Sequence, residues 1–347
     1  MAKTPVAVPA GRVLPAEFLL NPLSLGELVH PPRGADVFPA VLLSGAEGSG
    51  KASLAWGWGC ALNCQAPGVS GRACGTCRSC RRFLDGQHPD LCHLAVGEDS
   101  QGVKIEQVRD LQARLDYRPF EATWRLVVLE RVESMSEGAA NCLLKTLEEP
   151  PPQTIFALLT TNHAKVLPTI HSRCRIFKLL PVEEARLTEW LVRHGAAQHQ
   201  AALAARLTEG APGRALARLA DKPWWTLREQ ALQQFALITS GQVSPASLAE
   251  AADGVVKSYG TSGRARLVDY LSVGVGWCRD GLLVSQGAPA GLLLNVDREA
   301  PKAPGRCWTR AVDLLVDARL QIEGYTNARM VFTLLFQQLH ELFAKQP

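Results

Sequence analysis

A parallel α/β sheet domain followed by two helical domains is the fold class the sequence predicts, and three observations predict it. Short apolar runs alternate with helical patterns between 37 and 180, a glycine-rich loop joins the first run to the first helix, and strand-like runs stop after Pro181. Alternation of this kind favours parallel strands, because each crossover helix returns the chain to the same edge of the sheet.

Taken in order, Val41-Leu42-Leu43 reads as a buried strand leading into Gly45-Ala46-Glu47-Gly48-Ser49-Gly50-Lys51. Arg125–Leu129 and Thr154–Leu159 are two further β-rich runs, and their unbroken apolar character suits strands covered on both faces. Between them, residues 137–147 have helical spacing, with Leu143, Leu144 and Leu147 on one side, and Pro150-Pro151-Pro152 stops the helix. Residues 182–219 read as short helices punctuated by Gly195 and by Gly210-Ala211-Pro212-Gly213. Longer helical patterns cover 227–238, 267–283 and 311–343, with a glycine- and proline-containing loop at 287–305. The expected organisation is an α/β domain at 1–180 carrying a cysteine insert at about 60–82, a small helical domain at 181–222 and an all-helical domain at 223–347.

Composition narrows the class. The 347 residues are 47% hydrophobic and 20% charged, which suits a globular protein. No run approaches the roughly 20 apolar residues that span a bilayer. Residues 1–20 place Lys3, three prolines and Arg12 ahead of any apolar stretch, unlike a secretory signal, so a cytoplasmic protein with no membrane role is expected. A net charge of +4 is modest, and attraction to DNA would have to come from local basic clusters.

The glycine loop follows a strand and precedes a helix, the setting in which backbone N–H groups wrap phosphates and a lysine meets their charge. Gly45, Gly48, Gly50 and Lys51 are the candidate residues. Metal-assisted hydrolysis needs a hydroxyl after the lysine, but Ala52 has none, and Ser53 points about 100° away on a helix of 3.6 residues per turn. At the end of the second run, Leu129 is followed by Glu130 and Arg131, where an ATPase uses paired acids. Arg131 is expected to pair with an acid such as Glu133. Two readings stay open for the loop: phosphate binding without turnover, and a tight strand-to-helix turn without nucleotide.

Cys64, Cys74, Cys77 and Cys80 are spaced C-x9-C-x2-C-x2-C, and four thiolates close a tetrahedral shell around structural zinc. Free thiols are the alternative, with Cys60 the substitute ligand if one of the four is misassigned. The other six of the ten cysteines are expected to be small buried residues, and His88 and His93 to lie outside the metal set. Arg72, Arg78, Arg81 and Arg82 make the insert basic, most simply as a solvated face. Lys145 reads as an exposed helix lysine rather than a contact to duplex phosphates, and Trp224-Trp225 as packing at a domain junction.

Four motifs now stand in order: the glycine loop, the cysteine quartet, Asn141–Pro151 (NCLLKTLEEPP) and Ser172-Arg173-Cys174. Together they make residues 38–220 resemble the AAA+ clamp-loader subunits of the bacterial replicative DNA polymerase III. The family's gamma/tau subunits share all four motifs but keep a working magnesium site and paired acids. Ala52 and Arg131 therefore align this chain with a non-hydrolysing, stator-like member. The resemblance implies an AAA+ P-loop domain, a helical lid and a C-terminal helical collar. It implies a five-subunit ring with gamma/tau and delta subunits that uses ATP to open the sliding clamp and place it on primer-template DNA. It assigns Arg173 as an arginine finger acting in trans on a neighbouring gamma subunit's ATP, and Thr161 as a polar sensor of a degenerate site whose occupancy by ATP or ADP is left open. Gly213 stands where the gamma pattern has an arginine. Two rival readings are an ATP-hydrolysing gamma/tau-type subunit and a zinc-containing DNA-binding module acting alone.

Overall fold

The computed structural model describes residues 28, 37–68, 73–95, 102–260, 263–298 and 303–344. It divides into two compact units, Met1–Leu216 and Ala217–Pro347. Arg72 lies outside the described residues.

The first unit is built on five parallel strands, β1 (Ala40–Gly45), β2 (Leu91–Leu94), β3 (Arg125–Leu129), β4 (Thr154–Thr160) and β5 (Arg175–Leu179), in the order β2-β3-β4-β1-β5. The sequence reading finds β1, β3 and β4 and misses β2 and β5. The central three are almost wholly buried, so their apolar runs are unbroken. β5 is an edge strand in which only Phe177 and Leu179 are buried, and the half-buried β2 contains Cys92 and His93. Neither presents the continuous apolar run of a central parallel strand.

The side-chain period of two sorts the strands between two cores. Val41, Leu43, Leu126, Val128 and Ile155 face the helix α1 (Lys51–Leu62), whose Trp56 and Trp58 fill that side. Leu42, Val127, Leu129, Phe156 and Leu158 meet Val108 and Leu111, and Leu143 and Leu147. Those last four belong to α3 (Ile105–Leu115) and α4 (Glu137–Glu148), which follow the short α2 (Arg78–Leu84). α4 starts where Ser136 accepts a hydrogen bond from the Ala139 N–H at 3.2 Å, an N-cap that satisfies one otherwise orphaned donor. A short α5 (Pro168–His171) leads into β5.

α6 (Glu184–Arg193) and α7 (Gln198–Leu207) complete the first unit, tied by Arg206, whose Nε and Nη2 both donate to Glu184 at 2.7–3.0 Å. The division between the units falls within α8 (Pro212–Ala220).

The second unit is entirely helical among the described residues apart from its loops: α9 (Lys222–Thr239), α10 (Pro245–Tyr259), α11 (Arg264–Ser285), α12 (Gly305–Glu323) and α13 (Ala328–Ala344). Phe235, Tyr270, Trp277, Trp308, Phe332 and Phe336 form its aromatic core. α11 comes close to its neighbours because Gly274 and Gly281 have no side chain: a Cβ would lie 2.5 Å from the rings of Phe235 and Trp308 respectively. The loop after α11 is held by buried groups. Asp280 accepts from the backbone N–H groups of Leu294 and Asn295 at 2.9 and 2.7 Å, and Arg228 donates to Asp297 and Asn295. Trp224 and Trp225 pack edge to face inside this unit, with the Arg218 guanidinium 4.3 Å from the Trp224 ring centre. Of the six cysteines outside the quartet, Cys60, Cys278 and Cys307 are buried as expected, whereas Cys92, Cys142 and Cys174 are only partly so. No helix among the described residues is long and apolar enough to cross a membrane.

Two stability outcomes follow from this packing. Gly281→Ala should lower the stability of the second unit by about 1–3 kcal/mol through overpacking against Trp308, whereas Gly254→Ala, with open space around it, should be neutral or stabilising by under ~1 kcal/mol. Urea melts of the two variants check both signs. In the first unit, Asp90 accepts from the N–H groups of Phe120, Glu121 and Ala122 at 2.6–2.9 Å. Burial pushes its carboxyl up, but these bonds, led by that from Glu121, outweigh it and hold the carboxyl below its ordinary value. Its stabilising contribution is therefore present above the unfolded-state carboxyl value and lost as pH falls through the lower folded value. Asp90→Asn should flatten that part of the acid limb in a pH series of thermal melts.

Candidate functional site

The carboxyl ends of parallel strands share one edge, and the register of β1 with β4 sets Ser44 opposite Thr160. Gly45, Gly48, Gly50, Lys51 and Thr161 are thereby gathered at that edge. Gly48 and Gly50 have φ of 71° and 97°, a left-handed backbone that glycine adopts without a Cβ clash. The loop is turned inward on itself. Lys51 Nζ donates to the carbonyls of Gly45 at 2.6 Å and Ala46 at 2.7 Å. Burial lowers the lysine pKa, and the carboxylates of Glu133, Glu47 and Glu130, in that order, oppose the shift.

The first turn of α8 closes over the same loop. Gly213 N–H donates to the Gly48 carbonyl at 2.8 Å, and a Cβ on Gly213 would sit 3.0 Å from that oxygen. Conversely, a Cβ on Gly48 would lie 2.7 Å from the backbone nitrogen of Arg214. Glycine at 213 thus permits a backbone contact in place of a long basic side chain.

The two positions after β3 have different surroundings. Glu130 Oε1 lies 2.9 Å from His93 Nε2, and the His93 ring stands edge-on to Trp56 with centroids 4.8 Å apart. Arg131 is exposed, with a left-handed φ of 51°. The expected pairing of Arg131 with Glu133 is not what forms. Residues 132–134 make a 3-10 turn, and the Glu133 carboxylate instead accepts from Thr161, from its N–H at 3.1 Å and its hydroxyl at 2.6 Å. Side chains two apart in a helical turn do not face one another, which is the physical reason the guess from proximity in sequence fails.

Arg173 sits apart from this edge, in the turn between α5 and β5. Its Nη1 donates to the Thr169 carbonyl at 2.8 Å and the Ser172 hydroxyl at 3.1 Å, and its Nη2 to the Glu148 carboxylate at the end of α4. The side chain is 31% exposed, while its Nε is buried without a hydrogen-bond partner. Arg173 thus stands in an ion pair with Glu148 just before β5. Glu148 was readable only as part of the leucine-rich motif; nothing in its spacing named its partner. Lys145, on the same helix, is exposed.

The Sγ atoms of Cys64, Cys74, Cys77 and Cys80 all lie within 4.8 Å of one another, and Cys60 is not among them. Cys60 Sγ instead faces the Cys80 carbonyl at 3.7 Å. Backbone N–H groups of Cys74, Cys77 and Cys80 point at the sulfurs of Cys64, Cys74 and Cys77 at 3.2–3.5 Å. The bond from Cys77 N–H, followed by that from Thr76, brings the Cys74 thiol down to about 6. The donor set and its compactness fit a metal held by four sulfurs. The basic face beside it is partly neutralised, since Arg82 pairs with Glu121 and Arg78 approaches it at 3.9 Å. His88 is buried against Phe83, with ring centroids 4.0 Å apart, away from the quartet.

A family model described as DNA polymerase III, delta subunit, matches residues 27–183. The sequence is 39% identical over 155 residues to the delta' subunit of DNA polymerase III from Pseudomonas aeruginosa, covering 44% of this chain and 47% of that one. It is 35% identical over 198 residues to the delta' subunit of Escherichia coli, covering 57% and 59%. Over residues 27–183 the sequence is thus similar to delta and delta' subunits of DNA polymerase III. The tau subunit of Escherichia coli is also similar, at 37% identity over 170 residues, but the match covers 48% of this chain and 24% of tau. The chain spans about half the length of the curated delta' relatives it matches. In this domain the glycine loop joins β1 to α1 at the carboxyl edge of the parallel sheet, with Ala52 directly after its lysine and Arg131 two residues beyond β3.

Cysteine reactivity gives a direct test of the cluster's electrostatics. In chelator-treated protein at neutral pH, Cys74 should alkylate first, because its thiol lies near 6, whereas Cys174 and Cys278, pushed up to about 12 by burial, should stay unmodified. Peptide mapping after brief iodoacetamide treatment reads the order.

Proposed function

We propose that this chain acts as a non-hydrolysing, delta-prime-type subunit of a DNA polymerase III clamp loader, lending Arg173 to the ATP of a neighbouring gamma subunit. One observation carries the reading: the P-loop lysine is spent on its own loop's carbonyls while the acid after β3 is held by His93. Ala52 and Arg131 also leave the loop without the hydroxyl that holds magnesium and the acid that orients water in a working site. Arg173 by contrast stands at the surface with a fixed guanidinium. Across a subunit interface such a group would stabilise charge developing on the transferred phosphoryl, an effect worth roughly 10³–10⁵ in turnover in related NTPases.

In this reading the partners are gamma/tau and delta subunits, the sliding clamp, and primer-template DNA reached within the complex. The α/β domain at 1–180 would carry the finger, 181–222 would serve as its lid, and 223–347 as a helical collar for assembly. Zinc is the metal the four sulfurs suit best, because a closed thiolate shell makes the site structural and leaves no position for water. Its chemistry there is to fix the insert around α2, which has few apolar residues of its own.

Three measurements test this function. Arg173→Ala in a reconstituted complex should leave assembly intact and slow turnover at the site it serves by roughly 10³-fold or more, seen as a partial loss of DNA-stimulated ATPase and slower clamp loading. An unchanged ATPase would sink the proposed finger. The purified chain alone should show no turnover of Mg-ATP, since appreciable hydrolysis favours the gamma/tau-type alternative. Elemental analysis should find one zinc per chain, and its removal should lower the melting temperature of the first unit.

A further inference from the structure

We propose that the cleft between α9 and α10 is a binding site for an extended, uncharged peptide segment of a partner protein. The cleft measures about 730 Å³, within the roughly 300–1,000 Å³ usual for ligand sites. Gln230, Gln233 and Gln234 line one wall at helical spacing, so a single face of α9 brings three amides to it. Gly254 and Ser258, one turn apart on α10, line the other. Tyr270 and, two turns later, Trp277 contribute from α11. All of these residues belong to the second unit.

Two observations show that the chain's own side chains do not complete this site. Tyr270 is 1% exposed, yet its hydroxyl has no hydrogen-bond partner among the described residues, and a buried polar group in that state costs free energy that a bound donor or acceptor recovers. On the opposite wall, a Cβ added at Gly254 meets nothing within 4 Å. The lining then selects the ligand. Among its described side chains only Arg298 is charged, and Glu229 neutralises it in an ion pair. Such a site offers no free charge to a phosphate, a carboxylate or a cation. Glutamine amides both donate and accept, as do tyrosine and serine hydroxyls. An extended backbone presents an N–H and a C=O at each residue to such groups, whereas a helix has already paired its own. Leu237, 56% exposed on the same cleft, gives an apolar side chain of the segment a surface to cover. The inference is independent of Arg173 and of the glycine loop, and its outcome leaves the proposed function untouched.

The test pans a phage-displayed random heptapeptide library on the full chain and titrates the recovered sequences, as synthetic peptides, by calorimetry. Uncharged sequences with at least one large apolar residue should emerge. Gly254→Leu fills the open space from an exposed helix position and should weaken their binding at least about tenfold, with no loss of melting temperature. Tyr270→Phe keeps the ring and should weaken binding about threefold to tenfold, the worth of one hydrogen bond, while leaving the free protein as stable as before or more so. Recovery of no peptide, or of peptides that bind Gly254→Leu as tightly as wild type, overturns the proposal. So does a preference for charged sequences, tighter binding of peptides stapled as helices, or a self-association of the chain that Gly254→Leu abolishes.

Discussion

A half-buried ammonium needs hydrogen-bond acceptors and countercharge, and at the carboxyl edge of the sheet the chain supplies both. Lys51 takes the Gly45 and Ala46 carbonyls and lies in the field of Glu133. Thr161 is drawn to Glu133, Glu130 to His93, and Gly213 to Gly48. Each contact satisfies a polar group of this edge from within the chain. The parallel register makes this possible, because it lines up the ends of β1, β3 and β4 so that short side chains reach across.

The central strands and the motif residues were legible in the sequence for one physical reason: each is defined by local covalent spacing. β1, β3 and β4 are apolar on both faces, and the cysteine quartet depends on short fixed intervals that bring four sulfurs together. Edge strand β5 and half-buried β2 lack such a pattern, since solvent reaches one side of their side chains. The partners of the site residues were not legible either. Thr161 and Glu133 are 28 positions apart, and Arg173 and Glu148 are 25 apart, so only the lateral pairing of strands and helices brings them together. The guess that Arg131 would take Glu133 came from closeness in sequence, and a 3-10 turn separated them.

The ion pair at Arg173 and the role proposed for that residue do not compete. An ion pair exposed to this degree contributes about 0–1 kcal/mol, little of it left after solvent screening. The Thr169 carbonyl and the Ser172 hydroxyl meanwhile hold the other end of the guanidinium, so its rotamer is set by neutral contacts that survive loss of the acid. A phosphoryl oxygen in a water-excluded interface is the stronger acceptor, because charge-assisted bonds gain where the dielectric falls. Exchange of Glu148 for such an oxygen would then release a weak surface contact and leave the positioning contacts in place. The guanidinium is thus held in a fixed orientation at the surface by contacts that do not depend on the acid.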